Sequence, residues 1–160
     1  MEIEKNDFFL LSGKMLFVAT EFERDTKSLI HSLSLKSKVL SSGTNAKVIE
    51  EFCEEILEFK STKTLLKKID KPAELQFIFK EAIDARNFIA HELVIDIESL
   101  QADEETLNKF IELSIMPNAQ KILEAHCIIL QLLFQFNKIE NTSTHNWREN
   151  RLRWLQDLVQ

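Results

Sequence analysis

Glu81-Ala82-Ile83-Asp84-Ala85-Arg86-Asn87-Phe88-Ile89-Ala90-His91-Glu92 lies in the middle of a 160-residue chain, and its periodicity decides the fold. Wound at about 100° per residue, Leu75, Ile78, Phe79, Ala82, Ile83, Ala85, Ile89, Ala90, Leu93 and Val94 cover one half of a helical cylinder. Such a stripe belongs to an amphipathic helix pressed against a core. The helix is predicted over residues 72–94, with Asp70 able to cap it and Pro72 tolerated in its first turn. Lys80, Asp84, Asn87 and His91 form a polar row on the other side, so Asn87 and His91 can face one spot. Arg86 falls near the middle of the apolar half. A guanidinium there is costly unless it is paired or reaches a cleft. Glu21, Glu23 and Glu54 are candidate partners, and a shared cleft is the other solution.

Helical periodicity extends outward from this stretch. Leu11, Met15, Val18, Phe22 and Leu29 predict a first helix over 7–31, followed by a serine- and lysine-rich loop over 32–45. Thr44 or Asn45 can cap a second helix over 46–69, striped by Ile49, Phe52, Cys53, Ile56 and Phe59. Its early glutamates and late Lys60, Lys63, Lys67, Lys68 and Lys71 suit the helix dipole, and the lysines can also form a phosphate-attracting patch. Asp103 caps a fourth helix, which Pro117 is expected to end or kink. A fifth helix over 118–136 is apolar on most of its circumference and therefore central. Asn146 with Glu149 resembles a capping box for a short last helix. No alternating strand pattern is long enough to trust. The fold class is all-α: a single domain over 1–160, an up-and-down bundle of about five long helices and a short C-terminal one.

Two glycines and two prolines leave few tight turns, which fits long helices. A net charge of −6 makes a global nucleic-acid binder unlike this chain, so phosphate contact requires a local patch. Cys53 and Cys127 lie in apolar runs without zinc spacing and read as buried thiols of an intracellular protein. The acidic start lacks a signal-peptide pattern, and residues 128–136 are too short an apolar run to span a bilayer. A cytoplasmic protein with no membrane contact is expected.

Arg86-Asn87-Phe88-Ile89-Ala90-His91 resembles the signature of the HEPN superfamily: arginine, a polar residue, three further residues, histidine. Clear similarity covers about residues 80–93; beyond them the likeness is in helix pattern. Many members are metal-independent endoribonucleases, some of them toxins paired with a minimal nucleotidyltransferase antitoxin, others phage-defence components. The resemblance implies a homodimer in which two motifs line one RNA cleft, with no cofactor or metal. It implies catalytic roles for Arg86 and His91 and a supporting role for Asn87. Some toxins of the family carry a tyrosine two residues after the histidine, which the antitoxin modifies. Here that position is Leu93, and the chain has no tyrosine, so such regulation is not expected.

Trp147, Arg148, Arg151, Arg153 and Trp154 mix base with aromatic rings, as single-strand binders do. The same cluster also suits a docking helix that buries both tryptophans. With Lys80, Arg148 and Arg151 are the candidate RNA contacts. His31, His126 and His145 have no partner at metal or triad spacing, and His126 reads as a satisfied core or interface histidine. Two functions follow: a dimeric endoribonuclease, or a catalytically silent helical module of the same superfamily that binds a protein or nucleotide, with Arg86 structural.

Overall fold

The long apolar helix over Met116–Phe136 (α5) is the axis of the molecule. It buries Ala119, Ile122, Leu123, Ala125, His126 and Ile129. It packs against α1 (Lys5–Ser42), α3 (Ala73–Asn87) and α6 (Thr144–Gln156). Helices α2 (Ala46–Leu57) and α4 (Glu104–Phe110) complete the order. The computed structural model describes residues 5–43, 46–57, 64, 72–93, 104–138 and 144–157, and every regular element among them is helical. The chain is an all-α bundle, as its periodicity predicts. No helix among the described residues is long and apolar enough to cross a membrane.

Helix α1 supplies one wall. Phe8, Leu11, Met15, Val18, Phe22 and Leu29 are buried along it. Buried Ser12 and Thr26 each donate their hydroxyl to the carbonyl one turn back, Phe8 O and Phe22 O, so neither is left unsatisfied. The loop expected over 32–45 is instead helix as far as Ser42. Serine and lysine lower helix propensity only slightly, and no glycine or proline interrupts the run. Gly43 ends it in the left-handed conformation, φ 71°, its N–H bonded to Val39 O at 2.9 Å. The added turns are used: Lys38 Nζ donates to Glu51 O of α2, and Lys36 Nζ lies 5.5 Å from the Phe136 ring centre on α5.

Regular α-winding is interrupted just before Pro117, as expected, but without a loop. Helix α4 passes through a π-turn at Ile111–Ile115 directly into α5. Met116 N–H reaches back five residues to Ile111 O. A π-turn widens the backbone by one residue, which gives the proline ring room where an α-turn would clash. Helix α6 begins at Thr144, so Asn146 and Glu149 lie inside it and do not form its starting box. Its start is set by α5: Gln131 Nε2 donates to Thr144 Oγ1 at 2.9 Å, and Cys127 Sγ lies 3.5 Å from Thr144 O. Trp147 and Trp154 are half-buried against the core, and Leu155 is sealed within it. Cys127 is partly rather than fully buried. The caps expected at Thr44, Asn45, Asp70 and Asp103, the Cys53 side chain and the lysines from Lys60 to Lys71 lie outside the described residues.

Candidate active site

Helix α3 holds the site because one side of it is core. Phe79, Ala82, Ile83 and Ala85 are buried, and Leu75 and Ile78 pack on them, as the stripe predicts. Glu81 leaves the same helix to meet Lys121 Nζ of α5 at 2.9 Å. Past Asn87 the helix does not end. It widens into a π-turn, Phe88–Glu92, closed by Leu93 N–H on Phe88 O. Ile89 and Leu93 stay buried on either side of the extra residue, while His91 and Glu92 face solvent. No proline follows to account for this π-turn, unlike the one before Pro117. Turns of this kind occur frequently at functional sites.

Arg86 is drawn to the seam between α3 and α1. Its Nη2 is ion-paired with Glu23 Oε2, and its Nη1 donates to Asn87 Oδ1 at 3.2 Å. Of the three acids within prospect, Glu23 is the partner. Lys27 Nζ binds the same carboxylate at 2.8 Å. Partial burial pushes the Glu23 pKa up, but Lys27 and Arg86 outweigh it and hold the carboxyl below its ordinary value. The Arg86 side chain is 27% exposed, so it sits at the rim of the bundle and is not sealed inside it. The pair therefore answers the cost of a guanidinium on an apolar stripe while leaving part of the fork open.

Asn87 and His91 are exposed along one edge, with Lys80 and Asp84 on the same row nearer the helix start. His91 makes no hydrogen bond or ion pair among the described residues. Arg86 and Asn87 thus form a hydrogen-bonded donor pair on the last α-turn, and His91 stands on the π-turn that follows. A planar cation, an amide and a solvent-facing imidazole are a set that can receive a phosphodiester and move a proton. Among the described residues no three His, Cys, Asp or Glu side chains converge at metal-binding distance.

The arginines of α6 are placed differently. Arg151 Nη2 binds Glu21 Oε2 at 2.8 Å, and its guanidinium lies 5.4 to 5.8 Å from the rings of Phe17, Trp147 and Trp154. It joins α6 to α1 and is engaged within the fold. Arg148 is half-buried, with an Nε that has no hydrogen-bond partner among the described residues. Lys80 remains exposed.

His126 is the satisfied core histidine that the sequence predicts, and its acid partner is one that the spacing does not name. His126 Nε2–H of α5 donates to Asp25 Oδ2 of α1 at 2.9 Å, and the histidine is 1% exposed. Trp147 closes over it with ring centres 4.7 Å apart, and Nδ1 has no partner. Burial lowers the His126 pKa, and Asp25 only partly offsets that, so the ring is neutral near pH 7. Burial also pushes Asp25 up, but its bonds to Arg24 and His126 win and leave the carboxyl below its usual range. The available signal was an acid on the core stripe: Asp25 follows Val18 and Phe22 and precedes Leu29 at helical spacing. No protein-family model matches the chain, and no curated protein or solved structure matches it significantly.

Proposed function

We propose that the protein is a metal-independent endoribonuclease of HEPN type, acting as a toxin or phage-defence component on single-stranded RNA. The observation that carries this reading is the Arg86–Asn87 hydrogen bond at the foot of a π-turn on which His91 is exposed to solvent. RNA brings its own nucleophile. The 2′-hydroxyl attacks the adjacent phosphorus, its proton passing to a neutral imidazole, while the P–O5′ bond breaks and a protonated imidazole supplies the proton to the departing oxygen. The products are a 2′,3′-cyclic phosphate and a 5′-hydroxyl. Arg86 steadies the negative charge that grows on the non-bridging oxygens. Asn87 holds Arg86 through its Oδ1 and keeps its amide for the phosphate or for His91. One imidazole cannot easily be base and acid at once, so two motifs related by a two-fold axis suit the chemistry.

The test is incubation of single-stranded RNA in EDTA with wild type and His91→Ala, followed by end-group analysis. Cyclic phosphate ends from wild type alone support the reading. Equal cleavage by a highly purified His91→Ala preparation sinks it. The Arg86–Glu23 ion pair favours a second reading, a catalytically silent helical module that binds a protein or nucleotide. That reading expects no cleavage by wild type and a purely structural cost for Arg86→Ala.

A further inference from the structure

Charge is balanced on one flank of α1 and not on the other. Toward α6, the two acids Glu21 and Asp25 meet the two cations Arg24 and Arg151, with His126 neutral beside them. Toward α3, the single carboxylate of Glu23 holds two cations, Arg86 on Oε2 and Lys27 on Oε1, the latter at 2.8 Å. A glutamate four residues before a lysine is the favoured order for a helical pair, yet a partly exposed pair of this kind adds little to stability. One cation is enough to neutralise Glu23, and Arg86 needs that carboxylate because it lies on the apolar side of its own helix. Lys27 is the surplus. Two cations against one acid leave this trio at +1, in a chain whose net charge is −6.

The surplus cation lies in line with the candidate site. Helix α5 runs parallel to α1: Phe8 meets Phe110 ahead of α5, His126 meets Phe22 and Asp25, and Lys36 meets Phe136. Helix α3 runs antiparallel to α5, because Glu81 meets Lys121 whereas Phe88 meets Phe110. It is therefore antiparallel to α1 as well. His91 lies on the side of Arg86 toward the start of α1, and Lys27 lies on the other side, as does Lys80. Lys27 Nζ and Arg86 Nη2 bond different oxygens of one carboxylate. They are separated by at most two hydrogen bonds and the width of that carboxylate, about 7–8 Å. Neighbouring phosphates of a single strand are a similar distance apart. The Lys27 and Arg86 side chains are 28% and 27% exposed, with the Glu23 carboxylate between them. That carboxylate keeps one phosphate from taking both cations, and two phosphates can straddle it.

We propose that Lys27 is a second phosphate contact, so that the protein grips single-stranded RNA by two consecutive phosphates, the scissile one on Arg86 and its neighbour on Lys27. The claim rests on the RNA reading of the site. A lysine meets phosphate as a point charge and reads no base. Lys27 therefore sets which bond of the strand lies before His91 and gives no sequence preference. The smallest good substrate carries one phosphate beyond the bond that breaks, on the side away from His91.

Binding is measured first, by fluorescence anisotropy of a labelled single-stranded RNA of about twelve nucleotides on His91→Ala protein over a range of KCl concentrations. Adding Lys27→Met should weaken binding about fivefold or more and make the salt slope shallower by about 0.7, the loss of one phosphate contact. Lys27→Arg should restore both. Lys47→Met, which removes an exposed cation of α2 paired with Glu51, should do neither. Cleavage by protein with His91 intact then separates the two claims. Lys27→Met should raise KM by about the factor seen in binding, with kcat changed less than about twofold. A neutral methylphosphonate at the phosphate beside the mapped cleavage bond should cost about as much as Lys27→Met, and the two losses should not add. A lysine that only steadies Glu23 and Arg86 moves kcat and spares the salt slope, and that result overturns the proposal. RNA bound through Lys27 but left uncut defeats the cleavage reading and keeps the contact. RNA cut equally well by Lys27→Met defeats the contact and leaves cleavage standing. No binding of RNA at all overturns both.

Discussion

Ala90-His91 and Ala125-His126 are the same dipeptide on two core-packed helices, yet one imidazole faces solvent and the other is 1% exposed. The difference lies in which face of its helix each ring occupies. Around His126 the helix is regular α, and the ring points between α1 and α6, where Asp25 and Trp147 receive it. Around His91, Ile89 and Leu93 take the core positions, and the histidine stands on the outward row that its spacing predicts. A buried imidazole with an acid partner holds helices together. An exposed one, with no hydrogen bond or ion pair among the described residues, stands open to whatever binds.

Four experiments break or sharpen that contrast. Removing His91 should have the largest effect: His91→Ala should lose about 10²-fold or more of RNA cleavage. Its unfolding free energy should stay within about 0.5 kcal/mol of wild type, as for other surface substitutions. A variant equally impaired in both would make the two histidines alike. Asp25→Ala should do the opposite, costing about 1–3 kcal/mol in urea denaturation because it leaves buried Nε2–H without an acceptor. Cleavage per folded molecule should not change.

The pH dependence should belong to the buried histidine. Its pKa is lowered by folding, so the unfolded chain takes up a proton that the folded one refuses. Stability is full above the unfolded value near 6.5 and falls as pH drops toward the folded value. The lowered Asp25 and Glu23 carboxyls add a second loss below about pH 4.5. His126→Gln should flatten the first step and leave most of the second, which Arg24 beside Asp25 and Lys27 with Arg86 beside Glu23 maintain. Denaturation midpoints between pH 3.5 and 8 measure this. The smallest effect is expected from Glu23→Gln. The pair is partly exposed, so about 1 kcal/mol or less of stability should be lost. Cleavage should persist or rise, since Arg86 is released toward the phosphate. Cleavage abolished by this change would make Glu23 part of the chemistry.

Much of the bundle was legible because a buried helix face repeats locally. The stripes of α1, α3 and α5 lie where their spacing puts them, and α5 is central because its apolar residues nearly encircle it. The end of α1 was misjudged because serine and lysine mark loops only when a breaker accompanies them, and the breaker is Gly43. Pro117 is expected to end or kink a helix, and regular α-winding does give way to a π-turn just before it. The Asn146–Glu149 box was overruled by Thr144, which α5 holds in place.

The sequence by itself determined that the chain is helical, that Arg86 must be compensated, and that Asn87 and His91 share an outward row. These follow from 3.6-residue periodicity and the cost of a buried cation, both local properties. Only the tertiary structure decided that Glu23, 63 residues away, supplies the compensation, and that Asp25, 101 residues away, meets His126. Which acid meets which base depends on how helices cross, and crossing is settled by the packing of whole faces. The π-turn under His91 belongs to the same class. No local periodicity foretells it, and it forms where this segment packs on α1.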